Sequence, residues 1–463
     1  MDQDFHYYGT YYAARVGGGY SRDDAALIAK AANFIDFLHE GEYAGYWRLV
    51  RDTVAKSKSD QYTTIAELTN PRYTFQAGLL STGVSPEDGL WCSYHFTPGN
   101  YSDPQGAHSK RDVHGDDVAR LLPSFVIRPV KERFDSQVRK LLNRPQSALS
   151  RALLYDAFRC ATRADRREEI LLRALGGWEL LRGANKDDCM RRFNLILLGV
   201  RAHVIADTWA HQDWSGVDND INSYFDIDSG YVGRQSIKYT DSTGEQKVVL
   251  SASSHENLQA VPNGTSKLGH GWMGHFPDYS FVKYEYKPRW LKRSSASLVR
   301  DNPEEYTHAF LELCSLFAKS KNRVFRPQAA RDQLVAAKRA FSTPCKIADR
   351  SVCPRRFSSE QWMFHMRGIV EQPNVGDLID AKKEPDPPAV LKGVLAKSKA
   401  TGSTRYGTIT VNAKSDLYLF QIAVDYHFHF VRHWLARHKI LEFSGSWSQK
   451  LGPLPHLITD LFD

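Results

Sequence analysis

The hydrophobic positions along the chain predict mostly helices, and one predicted helix carries polar residues within its apolar surface. Residues 195–216 read LILLGVRAHVIADTWAHQDWSG, with an almost unbroken apolar run rich in Ala, Leu and Ile as far as residue 206. His203, Asp207 and His211 are four residues apart, so an α-helix places them on one narrow stripe. Each of these groups would cost about 1–3 kcal/mol if it were buried without a partner. A metal ion would satisfy all three, because imidazole nitrogen and carboxylate oxygen are ordinary zinc ligands; a buried hydrogen-bond chain without metal is the alternative.

Helical spacing of apolar residues recurs through much of the chain. Ser21 is a predicted N-cap for a helix that places Asp36 beside its apolar face, where a carboxylate is unusual unless it is paired. The last predicted helix carries Asp425, His429 and His433 at the same four-residue spacing, but its neighbouring arginines and lysine favour a solvated face. The predicted helical segments are 8–19, 21–40, 118–213, 303–341 and 415–439.

Other segments depart from this helical pattern. RQSIKYT and QKVVLSA alternate polar and apolar residues, which predicts a β-hairpin within an insertion at 217–268, and YTTIAEL is either a strand or a short helix. Residues 342–407 are rich in Pro, Lys and Ser and predict an irregular insertion or linker. We therefore expect a mainly α fold, a multi-helix bundle with a small β-hairpin insertion and an irregular Pro/Lys-rich excursion. The expected domains are a helical domain at 1–341 and a C-terminal helix within 408–463 that packs back on it, with 342–407 between them.

Further candidate metal ligands occur in three short segments. LWCSYHFTPGN is an aromatic run that ends in a Pro-Gly turn, and LGHGWMGHFPDYSF is a glycine-rich loop in which the backbone can approach an ion closely. The third segment is the tyrosine-rich N-terminus. The candidates in these segments are Asp4, His6, His95, His270, His275 and Asp278.

Composition and charge narrow the classes of protein. The 463 residues carry a formal net charge of +8, which favours anionic partners or serves solubility. Six cysteines without a CxxC pair predict free thiols, with a local bridge between Cys345 and Cys353 as the alternative. The acidic, aromatic N-terminus does not resemble a signal peptide, and no apolar run is long enough to predict a membrane span. We therefore expect a protein that is cytoplasmic in its producing cell, or exported without a cleaved signal peptide.

The order of these motifs resembles that of a known enzyme superfamily. An early His, a helical Asp, an isolated His, a His–x3–Asp helix and a later His-rich loop resemble the zinc-dependent phospholipase C superfamily, which includes the single-strand-specific zinc nucleases of fungi and plants. HYYGTYYAAR and AHVIADTWAHQDWSG are most similar to an uncharacterised set of bacterial proteins related to that superfamily. The resemblance covers 1–40, 90–100, 195–216 and 268–282, and it implies a phospholipase C-like helical bundle.

The resemblance also implies zinc, with one to three ions bound. It implies that His95, His203 and Asp207 share ions with Asp36, a bridging carboxylate that would orient or deprotonate the attacking water. By the same resemblance, His6 joins Asp207 at another ion, and His211 and His270 belong to a third.

This sequence departs from the family pattern in three places. His211 follows His203 at a shorter spacing than in the family. Asp4 is expected to take the place of the mature N-terminal amine that completes one ion in secreted members. The family's final His is followed after four residues by a carboxylate, where this chain has Gly274, so His275 or Asp278 is expected to replace it.

The function implied by the resemblance is phosphodiester hydrolysis by metal-bound hydroxide, with a phospholipid head group as the leading substrate and peripheral membrane contact. The alternatives are a zinc nuclease acting on single-stranded nucleic acid and a non-catalytic protein whose metal only staples a helical scaffold. Delivery into neighbouring bacteria as a toxin is a further hypothesis. Asp213 is expected to orient a ligating His. Four aromatic residues near the ligands are expected to contact substrate, with plain core packing as the alternative: Trp209, Trp214, Trp272 and Tyr279.

Overall fold

The computed structural model is mainly helical and contains antiparallel sheets, which confirms the predicted fold class at that level. The residues that it describes are 1–37, 54–55, 61–67, 91–101, 139–175, 185–225, 236–241, 243–250, 268–290, 297–345, 354–373, 405–412 and 416–440. The helix predicted before residue 139 lies outside them.

Nine helices within the described residues are labelled in chain order. The first, α1, is composite, with π-helical turns at Asp4–Gly9 and Ala14–Gly18 on either side of the α-helical turn Thr10–Ala13. The others are α2 (Arg22–Phe34), α3 (Ala148–Thr162), α4 (Ala164–Leu175), α5 (Lys186–Ala210), α6 (Asn302–Ser320), α7 (Arg331–Ser342), α8 (Pro354–His365) and α9 (Asp416–Arg437).

The described strands form two antiparallel sheets. One has the order β1-β2-β8, and in the other β3, β6, β4 and β5 follow one another while β7 also pairs with β6. The predicted hairpin is present as the β4–β5 pair, and YTTIAEL forms most of β2. The strands are β1 (Val54–Ala55), β2 (Gln61–Glu67), β3 (Tyr224–Phe225), β4 (Ser236–Thr240), β5 (Gln246–Leu250), β6 (Lys283–Pro288), β7 (Leu298–Asp301) and β8 (Arg405–Asn412).

The chain divides into two compact units, each assembled from three separate segments. The first comprises Met1–Ala25, Trp91–Tyr155 and Ala202–Pro373, and the second comprises Ala26–Leu90, Asp156–Arg201 and Asn374–Asp463. These divisions differ from the predicted boundaries at 341 and 407.

Part of that difference comes from α8, which lies inside the predicted irregular insertion. Its Trp362 is fully buried, stacked on Tyr12 at 5.6 Å and packed against Phe341 at 5.7 Å. Burial of a large aromatic side chain stabilises the helix in the first unit despite its polar sequence.

Helix α5 carries the polar stripe and begins nine residues before the segment that predicted it. Asn185 caps its first turn, because its Oδ1 accepts hydrogen bonds from the backbone amides of Asp187 (3.0 Å) and Asp188 (3.2 Å). Within the second unit, α5 crosses α2 closely at Gly199. A Cβ atom on Gly199 would lie 2.3 Å from the carbonyl oxygen of Ile28, so only glycine permits this crossing.

The first unit surrounds the C-terminal end of α5 with the N-terminal helix, α6 and the five-stranded sheet. An aromatic core packs beside that sheet and includes Phe96, Met273, Phe276, Tyr279 and Tyr284. The predicted capping of α2 is confirmed, since Ser21 Oγ accepts from the backbone amide of Asp24 at 3.2 Å.

Two general expectations bear on chemistry and location. Cys345 is a buried free thiol, as are the four other described cysteines, and Cys353, its partner in the alternative of a local bridge, lies outside the described residues. Among the described residues, none of the helices combines the length and apolar character that a bilayer crossing requires.

Candidate metal centre

The C-terminal end of α5 holds the predicted stripe in the first unit. His203, Asp207 and His211 are all buried, and the backbone amide of His211 donates to the carbonyl of Asp207 at 2.9 Å, so helical geometry extends to the last of them. Arg300 fixes this end of the helix by donating to the carbonyl oxygens of Trp209 (3.2 Å), Ala210 (3.0 Å) and Gln212 (2.8 Å).

A first group of ligand atoms converges on one oxygen of Asp207. His95 Nδ1 lies 3.1 Å from Asp207 Oδ2, and His203 Nε2 lies 3.2 Å from the same oxygen. The two imidazole nitrogens are 3.3 Å apart. His95 reaches this position from a short helical turn at residues 91–94, which its own amide closes by donating to the carbonyl of Trp91 at 3.0 Å.

The other oxygen of Asp207 faces the N-terminal segment. His6 Nε2 lies 3.1 Å from Asp207 Oδ1, and the His6 ring stacks on His203 with 3.8 Å between centroids. Neither ring nitrogen of the fully buried His6 has a hydrogen-bond partner among the described residues. The Met1 amino group lies 2.6 Å from Asp207 Oδ1 and 3.2 Å from Asp278 Oδ1, so the space between the two carboxylates accommodates a positive charge.

A second group is built from the end of the stripe and the glycine-rich loop. His211 Nε2 lies 2.9 Å and His270 Nε2 3.4 Å from Asp278 Oδ1. The Nδ1 atoms of both rings face backbone carbonyls, at 2.9 Å from His95 O for His211 and at 2.7 Å from Gly274 O for His270. A carbonyl only accepts, so each Nδ1 carries the proton and donates, which leaves both Nε2 lone pairs directed at the carboxylate. This tautomer control is the arrangement that protein metal sites use.

The glycine-rich loop needs Gly269 to approach the site. Gly269 has a positive φ of +56°, and a Cβ there would lie 2.2 Å from Cζ of Phe96. Phe96 in turn stacks on the His211 ring at 4.8 Å. The glycine therefore permits an aromatic ring to hold His211 in place.

His275 occupies a different place from His270. Its Nδ1 lies 3.3 Å from the other oxygen of Asp278, Oδ2, and its side chain is 39% exposed. His275 therefore contacts the back of the carboxylate rather than the space between the ligand atoms.

The protonation states of the histidines and aspartates in the site favour the binding of a cation. Burial lowers the pKa of His95 and of His211 to about 4 and that of His6 well below its usual value, so these imidazoles are neutral at pH 7. Burial opposes ionisation of Asp207 and Asp278, but neighbouring imidazoles and the Met1 amino group hold the pKa of both carboxyls well below the usual range. The site thus gathers neutral nitrogen lone pairs and two carboxylate charges, of which the amino group compensates one.

The spacing of the ligand atoms fits a metal ion. Zinc bonds of about 2.0–2.2 Å in tetrahedral geometry place two ligand atoms roughly 3.4 Å apart. The nitrogen–oxygen and nitrogen–nitrogen separations within the two groups are 2.9–3.4 Å. Within each group the three candidate ligand atoms lie within 4.8 Å of one another. Together with the orphaned nitrogens of His6, these distances fit a divalent cation better than a closed hydrogen-bond chain.

Two predicted acidic residues have other surroundings, and a third belongs to the second unit. Asp4 Oδ2 accepts from Ser280 Oγ at 3.2 Å, and burial with the nearby Asp2 raises the pKa of Asp4 well above its usual value, so the Met1 amino group rather than Asp4 faces the ligands. Asp213 is ion-paired with Arg144 at 2.7 Å instead of orienting a described ligand. Asp36 lies in the short helix Ile35–Phe37 of the second unit, and its role stays a prediction.

The four aromatic residues that were predicted to contact substrate differ in how deeply they are buried. Trp209 is completely buried, stacked on His308 at 5.1 Å with its Nε1 donating to Glu312 at 2.7 Å, so it is a core residue and not a substrate contact. Trp214 is also buried, stacked on Tyr286 at 5.4 Å. Tyr279 is buried against Phe281, whereas Trp272 is half-buried at the edge of the aromatic core.

Sequence reasoning missed the residues that position the ligands through the backbone. Arg300 gave no signal because it lies in a strand far along the chain, and Asn143, whose side-chain amide donates to the carbonyl of Asp207 at 3.1 Å, lies in an unremarkable loop. In the last helix His429 is buried, and the side chain of Asp425 lies outside the described residues, so the second stripe stays a prediction.

Comparison with known proteins identifies a family but no activity. The model of a family described as "Family of unknown function (DUF6765)" matches residues 1–435. Neither a curated protein nor a solved structure matches the chain.

Proposed function

This chain belongs to the DUF6765 family of unknown function, and from its site we propose that it is a metal-dependent phosphodiester hydrolase, most similar in chemistry to zinc-dependent phospholipases C. One observation carries the proposal: His95–His203–Asp207, which is buried, and His211–His270–Asp278, in which only His270 is partly exposed, each bring three ligand atoms within 4.8 Å of one another.

The number of ligands supports a catalytic role over a structural one. Structural zinc sites are closed by four protein ligands, whereas catalytic sites keep a position for water or substrate. Among the described residues each group offers three side chains, and water or substrate would take the remaining position of a catalytic ion. His6 lies beside the first group, at Oδ1 of Asp207, whereas His95 faces Oδ2, so His6 would extend the site toward a second ion.

The residues have distinct roles in the proposed reaction. Zinc or a similar cation held by these residues would supply Lewis-acid activation of water and neutralise negative charge on the phosphate. His211 and His270, with their Nδ1 protons fixed on carbonyls, keep their Nε2 lone pairs oriented without rearrangement. Asp207 and Asp278 provide negative charge within a site of low exposure, where electrostatic interactions are strong. The resemblance assigns Asp36 the task of orienting or deprotonating the attacking water.

A phospholipid is the proposed substrate, with cleavage releasing a phosphorylated head group. The resemblance to phospholipases C supports it, and the net charge of +8 suits an anionic surface. A nuclease acting on single strands is the second candidate, because the same superfamily includes zinc nucleases and a basic protein suits nucleic acid equally.

Hydrolysis of lipid in mixed micelles tests the proposal directly. Phosphatidylcholine and phosphatidylethanolamine are offered with added Zn²⁺, and release of phosphorylated head group is measured. We expect turnover that is lost in His203→Ala and Asp207→Ala, two variants that remove ligands from the first group.

The matched control is His438→Ala, an exposed histidine directly after α9 whose ring stacks on Trp434. It should retain full activity. Absence of product from every lipid, with metal shown to be bound, would contradict the lipid substrate. Digestion of single-stranded DNA or RNA by the same preparation would favour the nuclease. Unfolding of both ligand variants together with an inactive wild type would favour the non-catalytic, metal-stapled protein.

A further inference from the structure

A basic segment follows α6 on the first unit. Residues 319–327 read KSKNRVFRP and contain four cations and no acidic residue. All four cationic side chains belong to exposed residues. Lys321 Nζ lies 4.3 Å from the centroid of the Tyr20 ring, and the Arg323 guanidinium approaches Gly19, so the segment is fixed against the N-terminal part of the unit rather than detached from it.

The basic segment also contains apolar side chains. Val324 is 82% exposed, the most exposed of the large hydrophobic residues that the structure describes. The next residue, Phe325, lines a cavity of about 370 Å³. The rest of its lining combines apolar residues, two cations and polar groups: Leu154, Leu311, Leu316, Pro327, Arg151, Lys319, Gln146, His308, Glu312 and Ser315.

This cavity is separate from the candidate metal centre. Its polar floor is already engaged, since Glu312 accepts a hydrogen bond from Trp209 and His308 stacks on the same indole. The lining also has an apolar wall, and Lys319 belongs both to this lining and to the basic segment.

We propose that residues 319–327 and the adjoining cavity form a docking surface for a bilayer that contains anionic phospholipid. Lysine and arginine side chains near an anionic membrane are each attracted to it, and an apolar residue among them can enter the interfacial region. The proposal rests on the proposed function only for its choice of a lipid substrate; docking itself requires no hydrolysis.

The apolar tip favours a bilayer over nucleic acid. Proteins that hold single strands combine cationic grooves with aromatic rings on which bases stack. In this segment the exposed apolar residue is Val324, which cannot stack, while the aromatic Phe325 is half-buried along the cavity.

Vesicle sedimentation with the full-length, metal-loaded protein tests the inference. Sucrose-loaded vesicles of phosphatidylcholine alone are compared with vesicles that also contain phosphatidylglycerol, and released head group is measured in the same samples. We expect binding only to the anionic vesicles. Arg323→Ala combined with Arg326→Ala should weaken it about 25-fold, since each cation contributes about fivefold, or about 1 kcal/mol.

Val324→Asp should also weaken vesicle binding, and Val299→Asp is its matched control. Val299 is a second exposed valine of the first unit, 70% exposed in β7, so the same substitution there should leave binding unchanged. Equal binding by the Arg323/Arg326 double variant, or equal loss in both aspartate variants, would overturn the inference. So would tighter binding to single-stranded oligonucleotide than to anionic vesicles. Binding to vesicles without head-group release would support the docking surface and contradict the proposed function. Head-group release without vesicle binding would support the proposed function and contradict the docking surface.

Discussion

Two histidines of the glycine-rich loop provide the sharpest test of how the second metal group is built. His270 Nε2 lies 3.4 Å from Asp278 Oδ1, a separation close to the roughly 3.4 Å expected for two ligands of one tetrahedral ion. His275 lies 3.3 Å from the opposite oxygen and is partly exposed. We therefore expect His270 to be a ligand and His275 to support Asp278 from behind.

The two alanine variants should differ in how much metal affinity they lose and in whether they lose an ion. Loss of a residue that supports a ligand typically lowers metal affinity by about 10–100-fold. His275→Ala should lie near the lower end, about tenfold or 1.4 kcal/mol, because water replaces a partly exposed ring. His270→Ala removes the ligand itself and should exceed about 100-fold, or 2.7 kcal/mol, with one fewer ion retained per chain.

Competition with a chromophoric chelator gives the affinity, and elemental analysis after gel filtration gives the number of ions. Both variants are compared with wild type by circular dichroism, so that altered folding is recognised. The reasoning would be refuted if His270→Ala kept the wild-type number of ions while His275→Ala lost one.

Three further predictions follow from the same contacts. Arg300→Met should lower the free energy of unfolding in urea by about 3–5 kcal/mol, because Glu305 is left buried without its ion pair. The variant should also bind less metal, because the carbonyls at the end of α5 lose their donor. Unchanged stability and metal content would contradict this role of Arg300. In the metal-free protein, burial lowers the pKa of His95 and of His211 to about 4, against 6.5 in the unfolded chain. The unfolded chain therefore binds more protons than the folded chain between pH 6.5 and 4. The free energy of unfolding should fall by about 1.4 kcal/mol per pH unit for each residue as the pH drops through this range. Urea unfolding at several pH values measures this slope, and a flat profile would disprove it. Asp36→Asn should lower turnover by about 100-fold or more, as expected for loss of a general base; full turnover would remove Asp36 from the proposed mechanism.

The stripe on α5 could be predicted from sequence because it depends only on local geometry. A four-residue spacing places His203, Asp207 and His211 on one face of any α-helix, and the apolar surroundings predict their burial. His95 and His270 could be nominated by their aromatic and glycine-rich settings, and the structure brings both to that stripe.

Other features depend on contacts between distant segments and give no local signal. The tautomers of His211 and His270 are set by the carbonyls of His95 and Gly274, which no spacing rule connects. Trp209 lies in sequence between the ligands Asp207 and His211, but it is on a different face of the helix. Its side chain therefore points into the core, where it donates to Glu312. Asp213 was expected beside a ligand for its closeness in sequence, but the chain turns there with a positive φ of 81° and presents it to Arg144.

The central claim is that the convergent His and Asp side chains bind metal, and counting the metal tests it most directly. The protein is purified without chelator, and its divalent ions are identified and counted per chain by elemental analysis. We predict one to three ions, with zinc foremost, and a lower count in His203→Ala. A folded wild-type chain that contains no divalent ion and is not stabilised by added Zn²⁺ would contradict the account.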